Sequence, residues 1–523
     1  MLRVVGPPGT GKTAYLRQQV EAWSGQYDPR DMVLTSFTRA AARVLTGRVA
    51  VPAGNIATLH ALCYRHMGPL PIAETGALAK EWDESGIPTA WRIGEGGEEI
   101  DPEERVLYDE PAGTMLADLN LWRAWGRPPH PLEEKTRAFA SAWHEYKISH
   151  GAVDFADMLD YGIECMDAAP GEPGVLMVDE AQDLTAVQWA LVNQWGGAAE
   201  RYVVAGDGAQ CLYSWAGASP EPLLTPLPPE RHRLLGISYR LPAAVQAHAE
   251  AWLARHSPPM TEGREYQPRE GRGTVRRLAA SIQEPALLLR DIERQITAGR
   301  ICMVLATCRY MLAPIIAVLR QAGIPYHNPY RRTNGAWNPL GARHGVSTLD
   351  RALDYLRPDP ATWGAESHWW TDEELRRWLM MLRAEHIAGK KRAAAADAVG
   401  ERALDYLADP LPAVAHDVTW LAQSVTKQYA RPLEFIAAIK ARRGGAVLRE
   451  TPRVVVGTVH SVKGAEAEIV YLFPDLSLAA WRDSVETRAG RDAMIRTGYV
   501  GMTRAREELV LCEPVNARRA MWV

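Results

Sequence analysis

Nothing in this 523-residue sequence reads as a membrane span or an export signal. No run of about 20 apolar residues occurs, and residues 2–5 are too short for the apolar core of a leader. Cysteine is scarce and scattered. Cys63, Cys165, Cys211, Cys302, Cys308 and Cys512 make no C-x-x-C pair. That spacing offers no zinc ribbon or iron–sulfur pattern and fits reduced thiols in a cytosol. A positive excess is also lacking. Lys and Arg number 59 against 63 Asp and Glu, for a net charge of −4. A globally basic nucleic-acid coat is thereby excluded, whereas a local basic channel is not, because affinity for phosphate depends on where the charges sit. No low-complexity segment and no nuclease-like carboxylate cluster is seen. What remains is 47% hydrophobic and 23% charged, an ordinary globular balance. The length exceeds one hydrophobic core, so several domains are expected.

The first informative stretch is "LRVVGPPGTGKTAYLRQQV". Leu2 to Val5 reads as a short buried strand, and Ala14 to Trp23 as a helix. Between them lies Gly6-Pro7-Pro8-Gly9-Thr10-Gly11-Lys12-Thr13, the G-x-x-x-x-G-K-[ST] pattern in its required strand–loop–helix setting. Glycines let backbone N–H groups turn inward on phosphate oxygens. Lys12 can reach the β- and γ-phosphates, and the Thr13 hydroxyl can ligate Mg²⁺. The helix N-terminus adds a favourable dipole.

Such a loop needs an acidic partner on a second strand. "GVLMVDEAQDL" supplies one. Val175 to Val178 is a continuous apolar run, as a strand covered on both faces should be. Asp179 at its carboxyl end can hold the Mg²⁺ shell, and Glu180 can orient and deprotonate an attacking water.

D-E-A-Q-D together with the opening loop resembles a superfamily 1 DNA helicase of the UvrD/Rep/PcrA type. Other motifs of that family follow in order. "LTSFTRAAARVL" (34–45) resembles motif Ia and "ATLHALCYR" (57–65) motif Ib. "DFADML" (154–159) resembles the segment that re-enters the first motor domain. "VVAGDGAQCLYSWAGA" (203–218) resembles motif III, and "ISYR" (237–240) motif IV. "VVVGTVHSVKGAEAEIVYLF" (454–473) resembles motif V, and "YVGMTRAREELVL" (499–511) motif VI. The resemblance is collinear from residue 4 to about 511 and is broken by two regions without a match.

The resemblance implies roles by position. Lys12, Asp179, Glu180, Gln210, Arg240 and Arg504 would be catalytic, with Gln210 sensing the γ-phosphate and both arginines entering from the second motor domain. Loop residues Gly6 to Thr13 would hold ATP with Tyr239, Arg240, Glu466 and Arg504; Thr13 and Asp179 would hold Mg²⁺. Glu466 would contact the ribose. Tyr239 either stacks on the base or packs in a core, the commoner fate of a tyrosine. Asp207 reads as a structural hydrogen-bonder, and Arg506 as an ordinary ion-pairing residue. Single-stranded DNA would meet Phe37, Thr38, Arg39, His60, Tyr213, Trp215 and His460. Trp215 is singled out among 18 tryptophans only by its position. Thr58-Leu59-His60 and Thr458-Val459-His460 read as echoes of one unit.

The fold expected is α/β: two RecA-like P-loop motor domains with two mainly helical insertions. Domain 1A would comprise 1–66 and 150–232, 1B 67–149, 2A 233–362 and 450–523, and 2B 363–449. In 1B, "KEWDESG" and "EGGEEIDPEER" look like solvated surface ahead of aromatic helices. In 2B, the basic stretch "AGKKRAAAADAVGERALDYL" is either a duplex contact or, more ordinarily, a solvated face.

Three departures stand out. The chain starts at the first strand, without the upstream segment in which UvrD-like proteins carry an adenine-reading glutamine. Preference for ATP over other nucleoside triphosphates is then not fixed, and a compact, phage-like or mobile-element version is expected. Ala216 stands where the family commonly has arginine. The segment 473–494 lies where relatives place a strand-separating hairpin; Trp481 there is a wedge or, preferred, a buried residue. The function expected is an ATP-dependent 3′→5′ helicase or translocase acting on single strands and single–double-strand junctions. It would work in the cytoplasm of a bacterium or phage-infected host, associated with the nucleoid, in DNA replication or repair, with a nuclease or repair protein as a possible partner. The alternative is a DNA-activated or nucleotide-sensing ATPase that regulates a partner nuclease and unwinds little. A translocase that strips proteins from single strands needs the same motor.

Overall fold

The computed structural model describes residues 1–37, 49–93, 115–127, 131–256, 260, 263–330, 337–341, 345–356, 370–387 and 417–522. Thr38, Arg39, the acidic stretch 95–105 and the basic stretch 388–407 lie outside them.

Six strands form the first sheet: β1 (Leu2–Val5), β2 (Met32–Ser36), β3 (Ile56–Ala57), β4 (Val175–Asp179), β5 (Arg201–Gly206) and β6 (His232–Leu234). Their order is β3-β2-β4-β5-β1-β6, with every pairing parallel. The apolar run of β4 follows from coverage on both faces. Val175 and Met177 pack with Leu16 and Val20 of the helix Lys12–Trp23. Leu176 and Val178 point the other way, toward the helices Leu59–Met67, Phe155–Cys165 and Ala186–Ala198. Strand geometry thus brings the ends of β1 and β4, and with them the phosphate loop and Asp179, to one edge.

A small parallel pair, β7 (Ile237–Pro242) and β8 (Gln267–Arg269), leads to the second sheet. That sheet contains β9 (Thr274–Leu278), β10 (Cys302–Ala306), β11 (Tyr326–His327), β12 (Val454–Thr458), β13 (Ala467–Leu472) and β14 (Ala505–Cys512), ordered β11-β12-β10-β13-β14-β9. All its pairings are parallel too. The molecule is therefore α/β, with parallel sheets flanked by helices.

Helices between β3 and β4 build their own small core around Trp82, Phe139 and Trp143. "KEWDESG" is not simply solvated surface: it closes the helix Gly76–Glu84, and Trp82 within it is buried. A buried charge cluster ties this region to the first sheet. Asp154 caps the helix Phe155–Cys165 in a reciprocal box with Asp157. The Asp154 carboxylate also accepts from Arg123 at 2.9 Å, Lys147 at 2.6 Å and the indole of Trp143 at 3.0 Å. Two cations against Asp154 and Asp157 give a satisfied network, the condition under which buried charge is tolerated. Helices that follow β11 and precede β12 share a core with the second sheet. Leu433 and Ile436 of the helix Lys427–Arg443, with Trp378 and Leu421, join Val304, Val456 and Tyr471 in one apolar cluster. Residues 478–486 and 488–502 form two helices, and Trp481 is half-buried against the second sheet's core.

Candidate active site

The phosphate loop is shaped by its glycines. A Cβ on Gly6 would fall 2.2 Å from the Lys12 Cγ. Gly9 has φ +74° and Gly11 φ +84°, backbone that side chains disfavour. The Lys12 ammonium donates to the Gly6 carbonyl at 3.0 Å and is nearly buried. Gly11 caps the helix Lys12–Trp23 without a side-chain bond, so the free N–H groups of its first turn face the loop.

Across the edge, Thr13 donates from Oγ1 to Asp179 Oδ2 at 2.9 Å. Glu180 stands at φ +53° and ψ +38°, a strained position for a side-chain-bearing residue. Burial and the neighbouring Glu180 charge raise the Asp179 carboxyl above the usual carboxylate range. Glu180 is held below it: burial opposes ionisation, but Lys12 and Lys463 outweigh it. Two hard oxygen groups on a surplus of negative charge suit Mg²⁺, so Thr13 and Asp179 fit the ion implied by the loop.

The second sheet's unit closes directly on this loop. Ser238 donates to the Pro8 carbonyl at 2.8 Å, and the Tyr239 N–H to the Gly9 carbonyl at 2.8 Å. A Cβ on Gly9 would lie 2.4 Å from that of Arg240; only glycine allows this approach. Arg504 is fully buried, 3.4 Å from the Gln210 amide oxygen. Burial, with the Arg240 charge nearby, pushes its guanidinium down to about 9. Two crowded arginines facing a phosphate loop make a place for an anion. Arg240 is paired with Glu466 at 2.7 Å, and Glu466 also meets Arg506 at 3.2 Å. Glu466, expected at the ribose, is thus occupied by arginines in this structure. Tyr239 is 71% exposed beside Gly11, which removes the core-packing alternative.

Asp207 accepts from Gln210 at 2.8 Å and from Arg264 of the second unit at 3.0 Å. Arg496 donates to the Cys211 carbonyl at 3.0 Å and to Ser214 at 2.7 Å. These contacts fix the segment carrying Gln210, Tyr213 and Trp215. Trp215 is 38% exposed, but Tyr213 is only 6% exposed. Expected as a stacking platform, Tyr213 is instead enclosed by Phe37 at 5.0 Å, Trp215 at 6.2 Å and His460 at 5.9 Å between ring centroids. It braces the cluster. His60 lies apart, edge-on to Phe155. The T-x-H echo extends to geometry: Thr58 accepts from the Ala61 N–H at 3.4 Å, and Thr458 from the Ser461 N–H at 3.1 Å.

Several residues escaped the sequence reading. Gln182 donates to Glu180 and accepts from the Asp207 N–H at 3.0 Å. Asp183 pairs with Lys463. Gln182 and Asp183 lie inside D-E-A-Q-D and Lys463 inside the motif V stretch, so the signal was present. Arg264 had none.

Fold and loop together define a P-loop protein with two parallel-sheet units facing across a nucleotide-type site. Residues 1–216 match the protein family described as AAA domain. The chain is similar to the ATP-dependent DNA helicase Rep of Escherichia coli (strain K12), 25% identical over 249 residues, covering 42% of this chain and 36% of Rep. It is similar to DNA helicase II of the same organism, 23% identical over 253 residues, covering 42% of this chain and 33% of that protein. Staphylococcus aureus (strain Mu50 / ATCC 700699) ATP-dependent DNA helicase PcrA is 24% identical over 260 residues, 43% of this chain and 33% of PcrA. The chain spans about a third of the length of each of these relatives. These matches, with the motif order, support the resemblance to DNA helicases of the UvrD/Rep/PcrA type.

Proposed function

We propose that the chain is an ATP-dependent DNA motor that moves 3′→5′ on single strands and separates duplex at junctions. The observation that carries this reading is the convergence, on one phosphate loop, of Asp179 and Glu180 from the first unit with Gln210, Arg240 and Arg504 at the interface. In this reading 1–66 with 150–232 form motor 1A and 233–362 with 450–523 form motor 2A, with 67–149 and 363–449 inserted as 1B and 2B.

The loop N–H groups and Lys12 hold the phosphates, and Tyr239 offers its open ring to the base. Mg²⁺ on Thr13 and Asp179 would supply charge neutralisation at the phosphate oxygens. Glu180 takes the proton of the water attacking the γ-phosphate, and Gln210 orients against the same group. Arg504, and Arg240 once released by Glu466, stabilise the charge that grows on the equatorial oxygens, an effect worth about 10³–10⁵ in rate for an inserted arginine. Because these groups come from both units, hydrolysis requires closure, and closure moves the two units along the strand. Phe37, Trp215 and His460, braced by Tyr213, would grip bases and backbone. Supporting DNA over another track are the names of the relatives and the exposed Trp215 beside the γ-phosphate sensor.

Displacement of streptavidin from oligonucleotides biotinylated at either end tests the reading. ATP-dependent release from the 5′ end alone supports 3′→5′ movement. Release from neither end, with hydrolysis intact and a nuclease copurifying, would replace it with the regulatory ATPase.

A further inference from the structure

Lys463 lies in the loop after β12, three residues beyond His460, and crosses the interface to the first unit. Its ammonium pairs with Asp183, approaches Glu180 Oε2 at 3.8 Å and sits 5.6 Å from the centroid of the Tyr213 ring. One nearly buried cation therefore meets three groups with different jobs. Asp183 is itself 1% exposed, and its Oδ1 accepts the Leu212 N–H at 3.2 Å, which anchors the segment bearing Tyr213. Gln182 approaches the same Glu180 oxygen, Oε2. Gln182 and Lys463 so restrict rotation of the Glu180 carboxyl from one side.

The Tyr213 ring is enclosed by Phe37 and His460 and leans on Trp215, the exposed aromatic of the cluster. A base stacking on Trp215 presses on this cluster. A desolvated cation is costly to leave without its partners, and at 5.6 Å Lys463 sits near the outer limit of about 6 Å for attraction to a ring face. A shift of Tyr213 therefore shifts Lys463, and with it the carboxyl of Glu180. The contact chain is short and continuous, as physical coupling requires.

We propose that Lys463 is a positioning residue that reports occupancy of the aromatic cluster to Glu180, so that single-stranded DNA accelerates hydrolysis through this ammonium. The inference rests on the proposed function and names the side chain that links its two halves.

The test uses the full chain, oligo(dT) as the single strand, and three readings: the ratio of saturating ATPase rates with and without DNA, KM for ATP, and DNA affinity by fluorescence anisotropy. Lys463→Met should lower the stimulation ratio by an amount in the usual range for coupled sites, about 5–150-fold, with KM and DNA affinity within about threefold of wild type. Lys463→Arg, which keeps a cation, should recover most of the ratio. Asp183→Asn keeps the Leu212 acceptor and removes the ammonium's charge partner; it should lower the ratio as well and serves if Lys463→Met fails to fold in a thermal melt. A ratio unchanged in both neutralising variants overturns the inference. So does a fall matched by an equal loss of DNA affinity, which would make Lys463 part of the track. A wild-type rate that ignores DNA refutes the proposed function, and the inference with it. The wild-type ratio thus tests the function, and the variant-to-wild-type comparison tests Lys463.

Discussion

Replacing Arg264 by methionine removes the cation at the centre of a buried network between the two units. Arg264 donates to Asp207 at 3.0 Å, to Glu250 at 3.1 and 3.2 Å, and to the Tyr499 hydroxyl at 2.9 Å. Burial disfavours its charge, but Asp207, Tyr499 and Glu250 together hold the guanidinium protonated well above its usual range. Methionine fills similar volume, so the loss is electrostatic. Breaking a buried pair from one side costs about 3–5 kcal/mol because the remaining charge is stranded. Asp207 is 1% exposed and keeps two donors, the Ala209 N–H at 3.1 Å and the Gln210 amide at 2.8 Å, while Glu250 is a quarter exposed. These place the loss at the lower end, about 3 kcal/mol. At about 2–4 °C per kcal/mol for a unit of this size, the melting transition should fall by about 6–12 °C. Scanning calorimetry reads this directly. The double variant with Asp207→Asn should regain part of the loss, since the stranded charge is gone. A Tm for Arg264→Met within about 1 °C of wild type would refute the account of this interface, because even a loss of about 0.5 kcal/mol shifts Tm by that much.

Further outcomes follow from the same geometry. Lys12→Ala should abolish ATP hydrolysis in a steady-state assay; turnover near wild type would remove the loop from catalysis. Trp215→Ala should weaken single-strand binding by about 1–3 kcal/mol, the value of one stacked base, and uncouple hydrolysis from movement, as read by anisotropy and streptavidin displacement. Chelation of Mg²⁺ should stop hydrolysis. Because the Asp179 carboxyl is raised, protons compete with the ion, so apparent Mg²⁺ affinity should increase as pH rises from acidic to neutral; a Mg²⁺ titration at each pH checks the sign. Burial pushes the Cys63 and Cys302 thiols up to about 12 and Cys211 to about 11, leaving little nucleophilic thiolate. Iodoacetamide on the native protein should therefore mark exposed Cys165 first, as mass spectrometry of the digest will show.

Contiguous motifs made much of this legible from residues alone. The phosphate loop and the Val175–Asp179 strand carry their own local rules, so element type, order and sheet edge followed. Contacts across long separations did not. Lys463 and Asp183 are 280 positions apart, and Arg496 and Cys211 are 285 apart; no spacing rule joins them. Arg264 pairs with Asp207 from a stretch with no periodicity of its own. Tyr213 and Trp215 share one motif and one expected role at DNA, yet Tyr213 is enclosed and Trp215 exposed, because two residues in a tight turn face different ways. The region 363–449 reads as mainly helical, but amphipathicity does not say which core receives the apolar face of the helix Lys427–Arg443. In the structure it is the second sheet's own.

If nucleotide chemistry and a DNA track share one interface, single strands should change the rate of hydrolysis. The most direct test is the steady-state ATPase rate of the purified chain with and without single-stranded DNA, at fixed salt because phosphate contacts release counterions. Strong stimulation by single strands is the predicted result. A rate indifferent to DNA would leave the phosphate loop standing and contradict the link between hydrolysis and the track.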